Sequence, residues 1–149
     1  MGRKSSGISP VVATVILVAV AIVIAIAVAF WASGLVGVFT RFEKIEIVAA
    51  YPKDTNNDNT IDSIIVLARN TGSSDAAVDM IFVNGRPCNN WDARIGDKIT
   101  TEPKPVRLAI GQSANFTVNA ACIITGGVTN EIALHTTSGK TYPVAVLVP

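Results

Sequence analysis

Charge is missing from a long stretch of this 149-residue sequence: between Lys4 and Arg41 no residue carries any. Histidine is almost missing as well, since His135 is the only one, and no carboxylate or thiol stands near it in sequence to form a nucleophilic or metal arrangement. It therefore reads as a structural residue. There is no Gly-rich phosphate loop, no nucleophile elbow and no paired metal motif, so nothing points to an enzyme. The two cysteines, Cys88 and Cys122, are too few and too far apart for a structural zinc site, but they suffice for one disulfide if this part of the chain lies in an oxidising compartment. A net charge of +1, from 12 basic and 11 acidic residues, leaves no broad basic surface for a phosphate backbone. Nucleic acid is thereby excluded as an expected partner.

What is present is equally uneven. From Val11 to Val38 nearly every residue is Val, Ile, Ala, Leu, Phe or Trp, a run longer than the ~20 residues that cross a bilayer as a helix. Val and Ile favour strands, yet a single apolar run satisfies its backbone in lipid only as a helix. A helix from about Ser9 to Thr40 would be roughly 48 Å long against a hydrocarbon core of about 30 Å, so its end is expected to project. Along it Ala21, Ala25, Ala29, Ser33 and Gly37 recur at every fourth position, forming one slanting ridge of small side chains. Such a ridge lets apolar helices approach closely; the plainer reading is an alanine-rich anchor without those contacts. Gly34 and Gly37 add backbone freedom near its end. Arg3 and Lys4 precede the run and belong on the cytoplasmic side, which places the rest outside. The run is about twice the ~7–15 residues of a cleaved secretory signal, and we read it as retained.

The stretch Gly7-Ile8-Ser9-Pro10-Val11-Val12-Ala13-Thr14-Val15-Ile16-Leu17-Val18-Ala19 resembles the class III signal and leading helix of archaeal type IV pilins. The resemblance covers about the first 35 residues. It implies a signal peptide of residues 1–7, cleavage by a membrane-embedded prepilin peptidase between Gly7 and Ile8 ahead of Ser9 and Pro10, and a retained helix of residues 8–40. It further implies an extracellular filament whose membrane-inserted precursor is assembled on a membrane platform with a cytoplasmic ATPase. Bacterial pilins carry a glutamate at the fifth mature position, which is Val12 here, so the likeness is to the archaeal branch.

After Arg41 the sequence changes to short Val-, Ile-, Thr- and Phe-rich stretches separated by turn formers. Strands are expected at 42–50, 61–70, 77–83, 106–109, 114–119, 131–136 and 141–148, with Asn84-Gly85, Gly126-Gly127 and Ser138-Gly139 supplying tight connections. The expectation is an α+β chain, a long N-terminal helix followed by an all-β, immunoglobulin-like sandwich of about seven strands over 41–149. The segments Asn70-Thr71-Gly72-Ser73-Ser74 and Leu108-Ala109-Ile110-Gly111-Gln112 resemble the heads of many archaeal surface proteins, the archaellum's stator-like accessory proteins included.

Three local patterns remain. Asp54, Asn56, Asp58 and Asp62 occupy positions 1, 3, 5 and 9 of a calcium loop, but position 6 is Asn59 in place of Gly and position 12 is Ile65 in place of Glu. A solvated turn is the competing reading. Asn115-Phe116-Thr117 is the only glycosylation acceptor pattern. Trp91, among Asn89, Asn90 and Asp92, reads as a core residue in preference to an exposed adhesive tip. Taken with these features, the resemblance implies a self-associating pilin that serves adhesion and needs no cofactor unless the loop takes calcium. A membrane-anchored extracellular binding domain is the main rival, with an archaellum accessory protein beside it.

Overall fold

The computed structural model describes residues 9–100, 104–122 and 124–149, and the chain divides into two compact units at Thr40/Arg41. The first contains one helix, α1 (Pro10–Thr40), of 31 residues. Pro10 suits the first helical position because it has no N–H to leave unsatisfied and its φ is already helical. The Ala13 N–H donates to the Ser9 carbonyl at 3.1 Å, and the hydroxyls of Thr14 and Thr40 bond back to the carbonyls of Pro10 and Val36. Two of the rod's polar side chains, those of Thr14 and Thr40, are thus satisfied within it. None of its residues is buried.

The second unit is a ten-stranded sandwich: β1 (Ile45–Lys53), β2 (Ser63–Asn70), β3 (Ala76–Val83), β4 (Arg86–Cys88), β5 (Trp91–Ile95), β6 (Lys98–Thr100), β7 (Val106–Leu108), β8 (Ser113–Asn119), β9 (Thr129–Thr136) and β10 (Thr141–Leu147). One antiparallel sheet has the order β1-β2-β8-β5-β6; the other runs β10-β9-β3-β4, with β7 pairing the first half of β3 and β4 the second. Seven strands fall close to their expected places. The departure is β4 to β6, three short strands absent from the seven-strand expectation. Pro87, Asn89, Asn90, Gly96 and Asp97 break up their sequence, so partner strands create them: β5 pairs β8 from Trp91↔Val118 to Arg94↔Asn115, and β6 pairs β5. The period-two alternation of Trp91, Ala93 and Ile95 was the available signal.

Alternating inward residues from both sheets make the core. Phe116, Ile64, Ile81, Leu108, Ile132 and Leu134 are fully buried, and the Trp91 ring meets Phe116 with centroids 5.8 Å apart. Trp91 is therefore a core residue, 3% exposed. Two buried asparagines tie loops to this core. Asn70 donates to the carbonyls of Ser74 and Leu108 and accepts from the Gly72 N–H; Asn130 donates to Thr125 and Val128 and accepts from Thr125 and Asn84.

Strand register gives this sandwich two distinct ends. Ile45 pairs with Asn70 and Lys53 with Ser63, so the chain enters at one end, the entry end, and the loop 54–62 lies at the other. The turns 71–75, 109–112 and 137–140 share the entry end; Asn84-Gly85, Asn89-Asn90 and the segment following β8 share the far end.

Candidate functional site

The feature with the greatest functional content is α1 itself. Its side chains are apolar on every face and exposed, for example Leu17 at 70% and Val23 at 66%, and it meets the length and composition needed to cross a membrane. The ridge residues Ala21, Ala25, Ala29, Ser33 and Gly37 all lie on it. A Cβ added to Gly34 or Gly37 would touch nothing within 4 Å, so no contact among the described residues requires these glycines. Of the expected cleavage residues, Gly7 and Ile8 lie outside the described residues, while Ser9 and Pro10 open the helix.

Immediately after α1, residues 41–44 are gripped by the head. The carbonyl of Phe42 accepts from Ser73 and Ser74, that of Lys44 accepts from Thr71 and Gly72, and the Phe42 N–H donates to the Ser73 hydroxyl. Gly72 permits this approach, since a Cβ there would come within 2.5 Å of the Phe42 oxygen and 2.6 Å of the Lys44 nitrogen. From the opposite hairpin, Thr136 donates to the Glu43 carboxylate at 2.7 Å and Lys140 to the Glu43 carbonyl at 2.9 Å. Tyr142 donates to the same carboxylate at 3.3 Å; burial first, and the Glu43 charge second, raise its phenol above the usual value. Sequence reading missed this collar because its parts are far apart in the chain.

At the far end, carboxylate oxygens of Asp54, Asp58 and Asp62 lie within 4.8 Å of one another. The Asp54 carboxylate accepts N–H bonds from Asn56, Asn57 and Asn59. That of Asp62 accepts from Thr55. Hydrogen bonds from the Thr60 hydroxyl and N–H hold the Asp58 carboxyl below its ordinary value. Asn59 adopts φ 64°, making the turn for which a calcium loop uses glycine, and Asn57 has φ 59°. Asn56 turns its amide onto Asp58, and Ile65 lies within β2, where it supplies no carboxylate. Asp54, Asp58 and Asp62 are the residues that could hold a cation.

Cys88 and Cys122 form a disulfide with Cα atoms 5.4 Å apart, joining the end of β4 to the segment after β8. Asn115 is exposed on β8, where it is the third residue of the strand, between Leu67 of β2 and Arg94 of β5. His135 does acquire a carboxylate through the fold: its Nδ1 lies 2.7 Å from Asp79, and its ring meets Phe82 edge-on at 5.9 Å. This half-exposed pair stands on the outer face of the second sheet with no nucleophile beside it among the described residues.

No protein-family model and no curated protein matches the sequence. Among solved structures, the chain is similar to the archaeal flagellum of Methanospirillum hungatei strain JF1, at 13% identity and a TM-score of 0.46, over 95% of this chain and 94% of that one. It is similar also to the Iho670 flagellar-like filament, at 13% identity and a TM-score of 0.43, over 94% and 98%.

Proposed function

We propose that this protein is the structural, non-catalytic subunit of a helical cell-surface filament of the archaeal type IV pilus kind, serving adhesion. One observation carries the reading: α1 is apolar all round and its own chain buries none of it. A surface helix of a globular protein shows one apolar stripe; a rod that is apolar on every side needs a surrounding that is apolar on every side. Lipid supplies this for the precursor and copies of the same rod supply it in a filament. Exchange between the two costs little in hydrophobic free energy, so close packing decides it, and the small-residue ridge favours packing. Repeating one heterologous contact without closure gives an open fibre.

On this reading the basic N-terminus stays inside, a prepilin peptidase cuts before Ile8, and a membrane platform feeds the rods into the filament core while the heads form an outer layer. The head we read as immunoglobulin-like, since β1-β2-β8-β5 and β10-β9-β3 follow the strand orders of the two sheets of such a sandwich. Asn115, outside the cell, is open to glycosylation. N-terminal mass spectrometry of sheared surface fibres tests the proposal. A mature N-terminus at Ile8 is expected; an intact Met1 that fractionates with membranes from cells competent to build fibres would favour an anchored receptor.

A further inference from the structure

Asparagine is concentrated at the far end of the head, and most of it serves the fold. Asn57, Asn59 and Asn84 make turns at positive φ. Asn56 bonds to Asp58, Asn119 accepts from the Ala121 N–H, and Asn130 is saturated by its loop. Two amides are left over. Among the described residues the exposed side chains of Asn89 and Asn90 form no hydrogen bond and the exposed side chain of nearby Arg86 forms no ion pair. These three side chains line a hollow of about 250 Å³ together with Pro87, Ala121 and the Cys88–Cys122 bridge.

The backbone beneath them is held firmly. The disulfide fixes Cys88, the Lys104 amine donates to the Asn89 carbonyl at 3.1 Å while lying over the Trp91 ring, and the Asn119 N–H donates to the Asn90 carbonyl at 3.1 Å. A covalent bridge and two hydrogen bonds thus immobilise a stretch whose polar side chains the fold does not use. Rigidity of that kind lowers the entropic cost of binding something else.

We propose that this hollow binds a carboxylate-bearing sugar. The Arg86 guanidinium matches a carboxylate in fork geometry. Each free amide offers both a donor and an acceptor, the combination that ring hydroxyls require, and Pro87 with the disulfide gives a small apolar floor for the C–H face of the ring. The site belongs to the head alone, so it stands or falls independently of filament assembly.

The test is a titration of the full-length, ¹⁵N-labelled protein in detergent micelles with a galacturonic acid trimer, and with a neutral glucose trimer as control, followed by amide chemical shifts. Saturable shifts confined to residues 86–90 and 121–122 are expected, with the neutral trimer weaker. Arg86→Ala removes a charged hydrogen-bonding partner and should weaken the acidic trimer by about tenfold or more. Asn89→Ala with Asn90→Ala should weaken both sugars without lowering the melting temperature, as both side chains are exposed. Shifts that fail to saturate, equal binding of the neutral trimer, or unchanged binding by Arg86→Ala would each overturn the assignment. So would acetate competing as well as the trimer, which would mark a bare anion site.

Discussion

The rod and the head use the same apolar residues in opposite ways. In the head, Val, Ile and Leu alternate with polar residues, and the buried side chains of both sheets form one cluster. In α1 they run without interruption, and none is covered. Burial of this kind is the main favourable term in folding, so the head is complete by itself whereas the rod is unfinished without other molecules. That contrast separates a folded domain from a segment that needs an apolar surrounding, within one chain.

The contrast breaks most easily at Phe116, fully buried between the sheets. Phe116→Ala should remove about 3–5 kcal/mol, a large part of the stability of an ordinary domain. In micelles the head's near-ultraviolet signal should melt at much lower temperature while helical ellipticity persists. Helix and head melting together would show that the rod depends on the head after all.

The converse substitution is Ile24→Arg, midway along α1. A charge at the centre of a membrane helix costs about 2.5–3.5 kcal/mol, and the same charge inside a filament core would lack a partner. Fibres should disappear from sheared fractions while the head's melting temperature stays constant. Normal fibres would mean that the rods do not form the filament core.

The collar sharpens the boundary between the two regions. Gly72→Ala forces a methyl group into the backbone of residues 42–44 and should cost about 1–3 kcal/mol, the usual range for overpacking. Gly34→Ala meets nothing in its own chain, so it should leave head melting unchanged and, if the rods pack closely there, reduce fibre yield. Thermal melts and fibre yields of the two variants separate an intramolecular glycine from an intermolecular one.

How far each region was legible follows the same division. The rod could be read from composition, because an uncharged run of that length has one backbone solution. Seven strands could be read because each carries its own alternation or a turn such as Asn84-Gly85, whose φ values of 50° and 79° bear out the chemistry of that dipeptide. Between Arg86 and Thr100 the alternation of Trp91, Ala93 and Ile95 was there to be read, whereas three-residue segments such as Lys98–Thr100 were hidden because they exist only through a neighbour. The collar was hidden for a related reason: Glu43 meets Thr136 across 93 positions of sequence, and local pattern carries no trace of it. Amides left unused at Asn89 and Asn90 appear only after the other asparagines have been assigned to their turns.

The smallest expected effect lies in the far-end loop, where three carboxylates converge without a buried base to balance them. N–H donors from the loop hold them in place, and Asn57 and Asn59 turn the backbone so that they can. A divalent cation would relieve the remaining repulsion, weakly, because Ile65 stands where a closing carboxylate would be. Millimolar calcium should therefore raise the head's melting temperature by a few degrees, and Asp54→Asn should abolish the rise. Acid acts in the opposite direction. The Asp58 carboxyl is depressed below its unfolded value of 3.8 by Thr60, so its contribution is present above that pH and is lost as pH falls through the folded value. Asp58→Asn should flatten that acid limb. A melting temperature indifferent to calcium but still sensitive to acid would show that the loop closes on its own N–H groups and that the head needs no ion.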